Sequence, residues 1–155
     1  MSRRRVKPIQ AAIGLVERGG RYLICQRRAD DFLGGLWEFP GGKREPGEPW
    51  EACLRRELRE ELGIAVQAIR WFGTMRYRYG ERSITFMVFR CAIAHGRPKP
   101  LDAQTLRWVL PGQLHQFRFP PANQRLLARL GSAPISRACR DTACYNNKRN
   151  YKRRK

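Results

Sequence analysis

The chain has 155 residues, 42% of them hydrophobic and 29% charged, the size and balance of one globular domain; two full cores with a linker, a disordered chain and a fibrous chain are excluded. Lysine and arginine number 32 against 13 acidic residues, a net charge of +19. Residues 1–7 hold four positive charges, residues 132–155 hold eight against one negative, and the middle holds twenty against twelve.

That distribution divides the chain into a basic lead over 1–7, a domain over 8–131 and a basic, solvated tail over 132–155. The tail suits nonspecific contact with polyanions. No run approaches the roughly 18 consecutive apolar residues of a membrane span, and Gln10 and Gly14 interrupt what would be a signal-peptide core,. A cytoplasmic protein with no membrane partner is expected. Cys25, Cys53, Cys91, Cys139 and Cys144 are odd in number, scattered and without a CxxC pair, which points to buried or free thiols and against a disulfide framework or zinc site.

In chain order, residues 11–17 and 22–26 are apolar runs around Arg18-Gly19-Gly20-Arg21 and predict a hairpin. The strongest helix is predicted over 48–62, with Pro49 in its first turn, Leu54, Leu58 and Leu62 as an apolar stripe and Gly63 to end it,. Residues 71–79 and 83–94, rich in aromatic and β-branched types around Tyr79-Gly80-Glu81-Arg82, predict a second hairpin. A short helix over 123–130 follows Pro120-Pro121 and stops at Gly131. Short strands joined by turns, with a few helices that do not alternate regularly, point to a mixed α/β sandwich and argue against a doubly wound sheet.

On the long helix Glu57, Glu60 and Glu61 stand at i, i+3 and i+4 and project from one face,. Like charges at that spacing repel, and a hard divalent cation with oxygen ligands relieves the repulsion. Upstream lies Phe39-Pro40-Gly41-Gly42-Lys43-Arg44-Glu45-Pro46-Gly47-Glu48, a glycine-rich loop that lets backbone amides and carbonyls approach a ligand. The whole reads Gly42, five residues, Glu48, seven residues, Arg56-Glu57-Leu58, one residue, Glu60-Glu61, one residue, Gly63-Ile64. This pattern is the signature of the Nudix hydrolases, and its seven fixed positions match by chance at roughly one start in a billion.

The resemblance implies an α/β/α sandwich with a mixed β-sheet and hydrolysis of a nucleoside diphosphate linked to another moiety. It implies Mg2+, with Mn2+ able to replace it, held by Glu57, Glu60, Glu61 and the carbonyl of Gly41, with Arg56 orienting a glutamate by a charge-assisted hydrogen bond. Asp102 stands where the family often has a glutamate that completes the metal site or acts as base; the general base stays open between Glu57, Asp102 and Glu48.

Residues 9–131 further resemble the MutT branch of that family, which removes 8-oxo-dGTP from the nucleotide pool. The likeness rests on Arg27-Arg28-Ala29-Asp30, Trp37-Glu38-Phe39-Pro40-Gly41-Gly42-Lys43 and Phe119-Pro120-Pro121-Ala122-Asn123. It implies a nucleoside triphosphate substrate, 8-oxo-dGTP cleaved to 8-oxo-dGMP and pyrophosphate, and Asn123 in contact with the oxidised base. Arg28 matches a nucleotide-contacting arginine, Phe39 is expected to line the base pocket and Arg82 to border it, and Gly42 and Lys43 are expected beside the substrate. An amide side chain suits the task, since its oxygen and NH2 can meet the N7 hydrogen and O6 of 8-oxoguanine. The alternative for Asn123 is a helix N-cap; alternatives for the whole chain are another Nudix substrate, an RNA 5′ end, or a nucleic-acid-binding module.

Overall fold

The computed structural model describes residues 6–131; most of the basic lead, the whole basic tail, Cys139 and Cys144 lie outside the described residues. Seven strands form one mixed sheet: β1 (Ile9–Arg18), β2 (Arg21–Gln26), β3 (Trp37–Glu38), β4 (Gly41–Lys43), β5 (Ala65–Tyr79), β6 (Arg82–His95) and β7 (Thr105–Val109). The main order is β3-β2-β1-β6-β5, with β4 also paired to β1 and β7 to β2. The centre is a parallel pairing of β1 with β6 running from Ile9 opposite Ile84 to Glu17 opposite Ala92, while the hairpins are antiparallel.

Both predicted hairpins and the long helix are present, with shifted limits. α1 spans Trp50–Leu62, with Pro49 as its N-cap in extended backbone. Gly63 ends the helix at φ 69°, a left-handed position that glycine takes without strain, and its amide closes on the Arg59 carbonyl,. At 15 and 14 residues, β5 and β6 are long where short strands were expected, and their register shifts at bulges or irregularities between Ala65 and Val66, Gln67 and Arg70, and Trp71 and Gly73,. The second helix is a 3-10 turn, Pro121–Asn123, continued by α2 (Gln124–Arg129).

The sheet buries both faces, so the sandwich has two cores. Alternation along β1 sends Ala12 and Val16 to one side, where Cys53, Leu54, Leu58 and Leu62 of α1 cover them,. Leu15 goes to the other side, under Leu114, Phe119, Leu126 and Leu127. Each fully buried leucine of the α1 stripe contributes about 1.5–3 kcal/mol of apolar burial, which fixes the helix and the carboxylates it carries over β1 and β4. Cys25, Cys53 and Cys91 are buried and free. Among the described residues no helix is long and apolar enough to cross a membrane.

Candidate active site

Strand β4 seats the site. It pairs Lys43 with Ala11, Gly42 with Ala12 and Gly41 with Ile13, so the glycine pair runs directly beneath α1. Gly41 has φ 148°, and a Cβ there would overlap the Ala12 carbonyl; a Cβ on Gly42 would overlap the Glu57 carboxylate. Glycine at both positions lets acidic side chains lie against bare backbone. The Gly41 amide donates to Glu61 Oε2 at 3.2 Å.

Arg56 ties the glutamates together. Its Nε and Nη2 donate to Glu48 Oε1 and Oε2 at 2.7 and 3.0 Å. Its Nη1 donates to Glu57 Oε1 at 2.9 Å and to Glu60 Oε2 at 3.4 Å, and Nη2 also reaches the Lys43 carbonyl at 3.0 Å. This forked bonding holds the Glu48 carboxyl down at about 2,. Glu57 moves the other way: burial raises it, Arg56 opposes, and Glu60 and Glu48 add to the rise. Glu61 is held well above the usual carboxylate range by burial, then by the charge of Glu38, against the pull of the Gly41 amide; Glu57 and Asp102 raise it further.

Glu38 is the acidic residue that sequence reasoning quoted but gave no role. Its Oε2 accepts from Arg27 Nη1 at 2.8 Å, and burial raises its pKa in spite of that partner. The loop that follows β6 brings in Asp102: the Lys99 and Leu101 amides donate to the Leu62 and Glu61 carbonyls at 3.0 and 3.1 Å, pinning the loop to the end of α1. Arg28 Nη2 donates to the Leu101 carbonyl at 3.2 Å. Asp102 and Glu60 are exposed, and Asp102 acts on Glu61 and Glu38 through its charge.

Among the described residues no three acidic, histidine or cysteine groups stand close enough to chelate an ion as they are; Arg56 draws Glu57 and Glu60 to itself while Gly41 holds Glu61. The donor set nevertheless fits a hard divalent cation. It consists of oxygens on one helix turn over a bare glycine strand; burial first, and neighbouring negative charge second, raise Glu57 and Glu61, and a cation offsets both by favouring the charged carboxylates,.

The residues expected around the base divide. Asn123 ends the 3-10 turn and precedes α2 with no side-chain cap bond, and it borders a small hollow with apolar walls that include Ile13, Met75, Phe86, Val88 and Leu126. Phe39 is only 2% exposed, against Tyr22 and Phe119 with ring centres 6.3 and 5.3 Å away. It is outside the lining of that hollow, and through Phe119 it anchors the segment that carries Asn123. Arg82 pairs with Tyr79 at the hairpin tip, on the same sheet face as Phe86 but four residues away, about 13 Å along the strand. Lys43 is exposed at the end of β4.

The NUDIX domain family matches residues 11–129. The chain belongs to the Nudix hydrolases. It is 35% identical over 122 residues to the CTP pyrophosphohydrolase of Escherichia coli K12, covering 79% of this chain and 90% of that protein. It is 34% identical over 126 residues to the 8-oxo-dGTP diphosphatase of the same organism, covering 81% and 98%. A solved MutT structure, from work on the Aliivibrio salmonicida and Vibrio cholerae proteins, superposes with a TM-score of 0.65 at 32% identity, over 80% of this chain and 97% of that one. The α/β sandwich with its mixed sheet is therefore the Nudix fold, as the signature implied.

Proposed function

We propose that this Nudix hydrolase cleaves 8-oxo-dGTP to 8-oxo-dGMP and pyrophosphate with Mg2+, or Mn2+ in its place, in the cytoplasm where the nucleotide pool lies. The observation that carries the reading is Asn123: its side chain is not spent on capping α2 and stands at the edge of an apolar hollow. An amide there meets the N7 hydrogen and O6 of the oxidised base, and opposes an acceptor to N7 of guanine. The name of the 34% identical relative agrees with it.

In this reading Glu57, Glu60, Glu61, Asp102 and the Gly41 carbonyl would hold the metal, which when bound would supply charge neutralisation for the polyphosphate and a more acidic water for attack on phosphorus. Arg28, Lys43 and the Gly42 backbone meet the phosphates, and the positive excess of the chain draws the anionic substrate in. Arg82 borders the sugar and base side, and Phe39 supports the wall from behind. Glu48, with both oxygens bonded to Arg56 and its pKa at about 2, is poorly suited to take a proton at neutral pH. Glu57, raised in pKa and set against Gly42, is the better general base, with Asp102 on the pinned loop as the other candidate.

A second reading is CTP hydrolysis, favoured by the name of the 35% identical relative. Pyrophosphate release from 8-oxo-dGTP, dGTP and CTP, measured in parallel at limiting substrate with Mg2+, with Mn2+ and with chelator, separates them. A metal-dependent preference for 8-oxo-dGTP is the expected result. A preference for CTP moves the function to the second reading, and equal rates on all three remove the role of Asn123.

A further inference from the structure

β5 is the outer strand of the sheet, and its chemistry is one-sided. Residues 65–95, the β5–β6 ribbon with its turn, contain five arginines and a single acidic residue, Glu81. Trp71 is 64% exposed on β5, although tryptophan is a residue that folding usually covers.

The register places these groups together. Trp71 lies opposite Phe89, Thr74 opposite Met87, Arg76 opposite Thr85 and Arg78 opposite Ser83. Phe89 and Met87 belong to the core beneath α1, so Trp71, Thr74, Arg76 and Arg78 share the sheet face that α1 covers farther in. All four are exposed. Among the described residues neither Arg76 nor Arg78 has an ion pair, and each faces a hydroxyl side chain across the ribbon.

We infer that this outer face of the β5–β6 ribbon is a docking surface for single-stranded nucleic acid. Trp71 offers a flat apolar ring on which a base can stack, and the Arg76–Thr85 and Arg78–Ser83 pairs offer charged and hydroxyl donors to successive phosphates. From Trp71 to Arg78 the row extends about 23 Å, enough for a short stretch of strand. Stacking on an aromatic platform beside a basic track is how proteins hold single strands without reading sequence. A duplex buries its bases in its own stack and would meet only the arginines. The surface is separate from the glutamate site under α1, and the inference does not depend on which nucleotide that site hydrolyses.

The test uses the full chain and a fluorescently labelled 12-nucleotide oligo(dT), with binding followed by anisotropy across a salt series. An abasic strand of the same length is the second ligand, and thermal melting of each variant checks that it folds. Trp71→Ala weakens oligo(dT) binding about tenfold and leaves the abasic strand unaffected, because only the base contact is lost. Arg76→Ala combined with Arg78→Ala lowers the slope of log affinity against log salt by about 1.4, two phosphate contacts' worth. Wild-type affinity in Trp71→Ala, an abasic strand held as tightly as oligo(dT), or an unchanged salt slope in the double variant overturns the inference, as does an absence of binding.

Discussion

Arg56 grips Glu48 with two nitrogens at once, Nε at 2.7 Å and Nη2 at 3.0 Å, leaving Nη1 to reach Glu57 at 2.9 Å. One planar fork thus fixes the loop before α1 and the central carboxylate of α1 together. A lysine carries the charge but cannot hold two carboxylates in that plane. Arg56→Lys is therefore expected to lose 10- to 100-fold in turnover, the usual cost of removing a group that orients a metal ligand, with Arg56→Ala no better. Steady-state rates on the preferred nucleotide check this, and a near-wild-type rate for Arg56→Lys would sink the positioning role.

The same pair has a pH signature. Glu48 sits at about 2 in the fold and near the ordinary carboxylate value when unfolded, so the unfolded state binds its proton first. Its stabilisation is complete above about pH 4.5 and is lost as pH falls toward 2. Melting temperature followed from pH 6 to 2.5 should fall more steeply for the wild type than for Glu48→Gln. Parallel curves would mean that the fork contributes nothing to stability.

Two neighbouring glycines should fail in different ways. Alanine at Gly42 meets only the end of the Glu57 side chain, which can swing aside, so Gly42→Ala should melt near the wild type yet lose about 10- to 100-fold in rate because Glu57 has moved. Alanine at Gly41 meets the Ala12 backbone carbonyl at φ 148°, where nothing can yield. Gly41→Ala should cost about 1–3 kcal/mol of strain and several degrees of melting temperature. Equal melting temperatures for the two variants would contradict this account. Glu57→Gln, with no change of volume, should keep the fold and abolish turnover.

How much of this was legible in the sequence depended on whether the signal was local. The carboxylate face and leucine stripe of α1 follow from spacing on one helix, and both hairpins from apolar runs around turn residues. β4 did not show, because two glycines read as loop; only the register with Ala12 and Ile13 makes that segment a strand,. β3 has two residues and β7 five, too little for a periodic signal. Glu38 drew no role because the groups it acts with, Arg27 first and then Asp102 and Glu61, arrive from other elements. Phe39, beside a glycine loop, read as a pocket wall, yet the core under Phe119 takes it.

The thiols give a prediction that needs no activity measurement. Burial, and then the charge of Glu48, pushes Cys53 up to about 11; burial and Glu17 push Cys91 up to about 12; Cys25 is raised by burial and Glu61. At pH 8 about one Cys53 in a thousand is thiolate, and none of the three side chains is open to reagent. Peptide mass spectrometry after iodoacetamide treatment should find all three unmodified in the native protein and modified in guanidinium. Rapid native labelling of Cys53 would show that α1 opens away from β4.

Asn123→Ala bears on substrate choice alone. The residue is partly buried and makes no cap bond to α2, so its truncation removes no structural hydrogen bond and should leave melting temperature within a degree or two. Against 8-oxoguanine the amide would lose two bonds. Against guanine it would lose one bond and one acceptor facing another acceptor. An unmatched buried polar group costs about 1–3 kcal/mol, so the ratio of kcat/KM for 8-oxo-dGTP over dGTP should fall about ten- to a hundredfold, with rates on dGTP nearly constant and the metal requirement unchanged. A variant that keeps the wild-type ratio would place base selection elsewhere on the walls of that hollow.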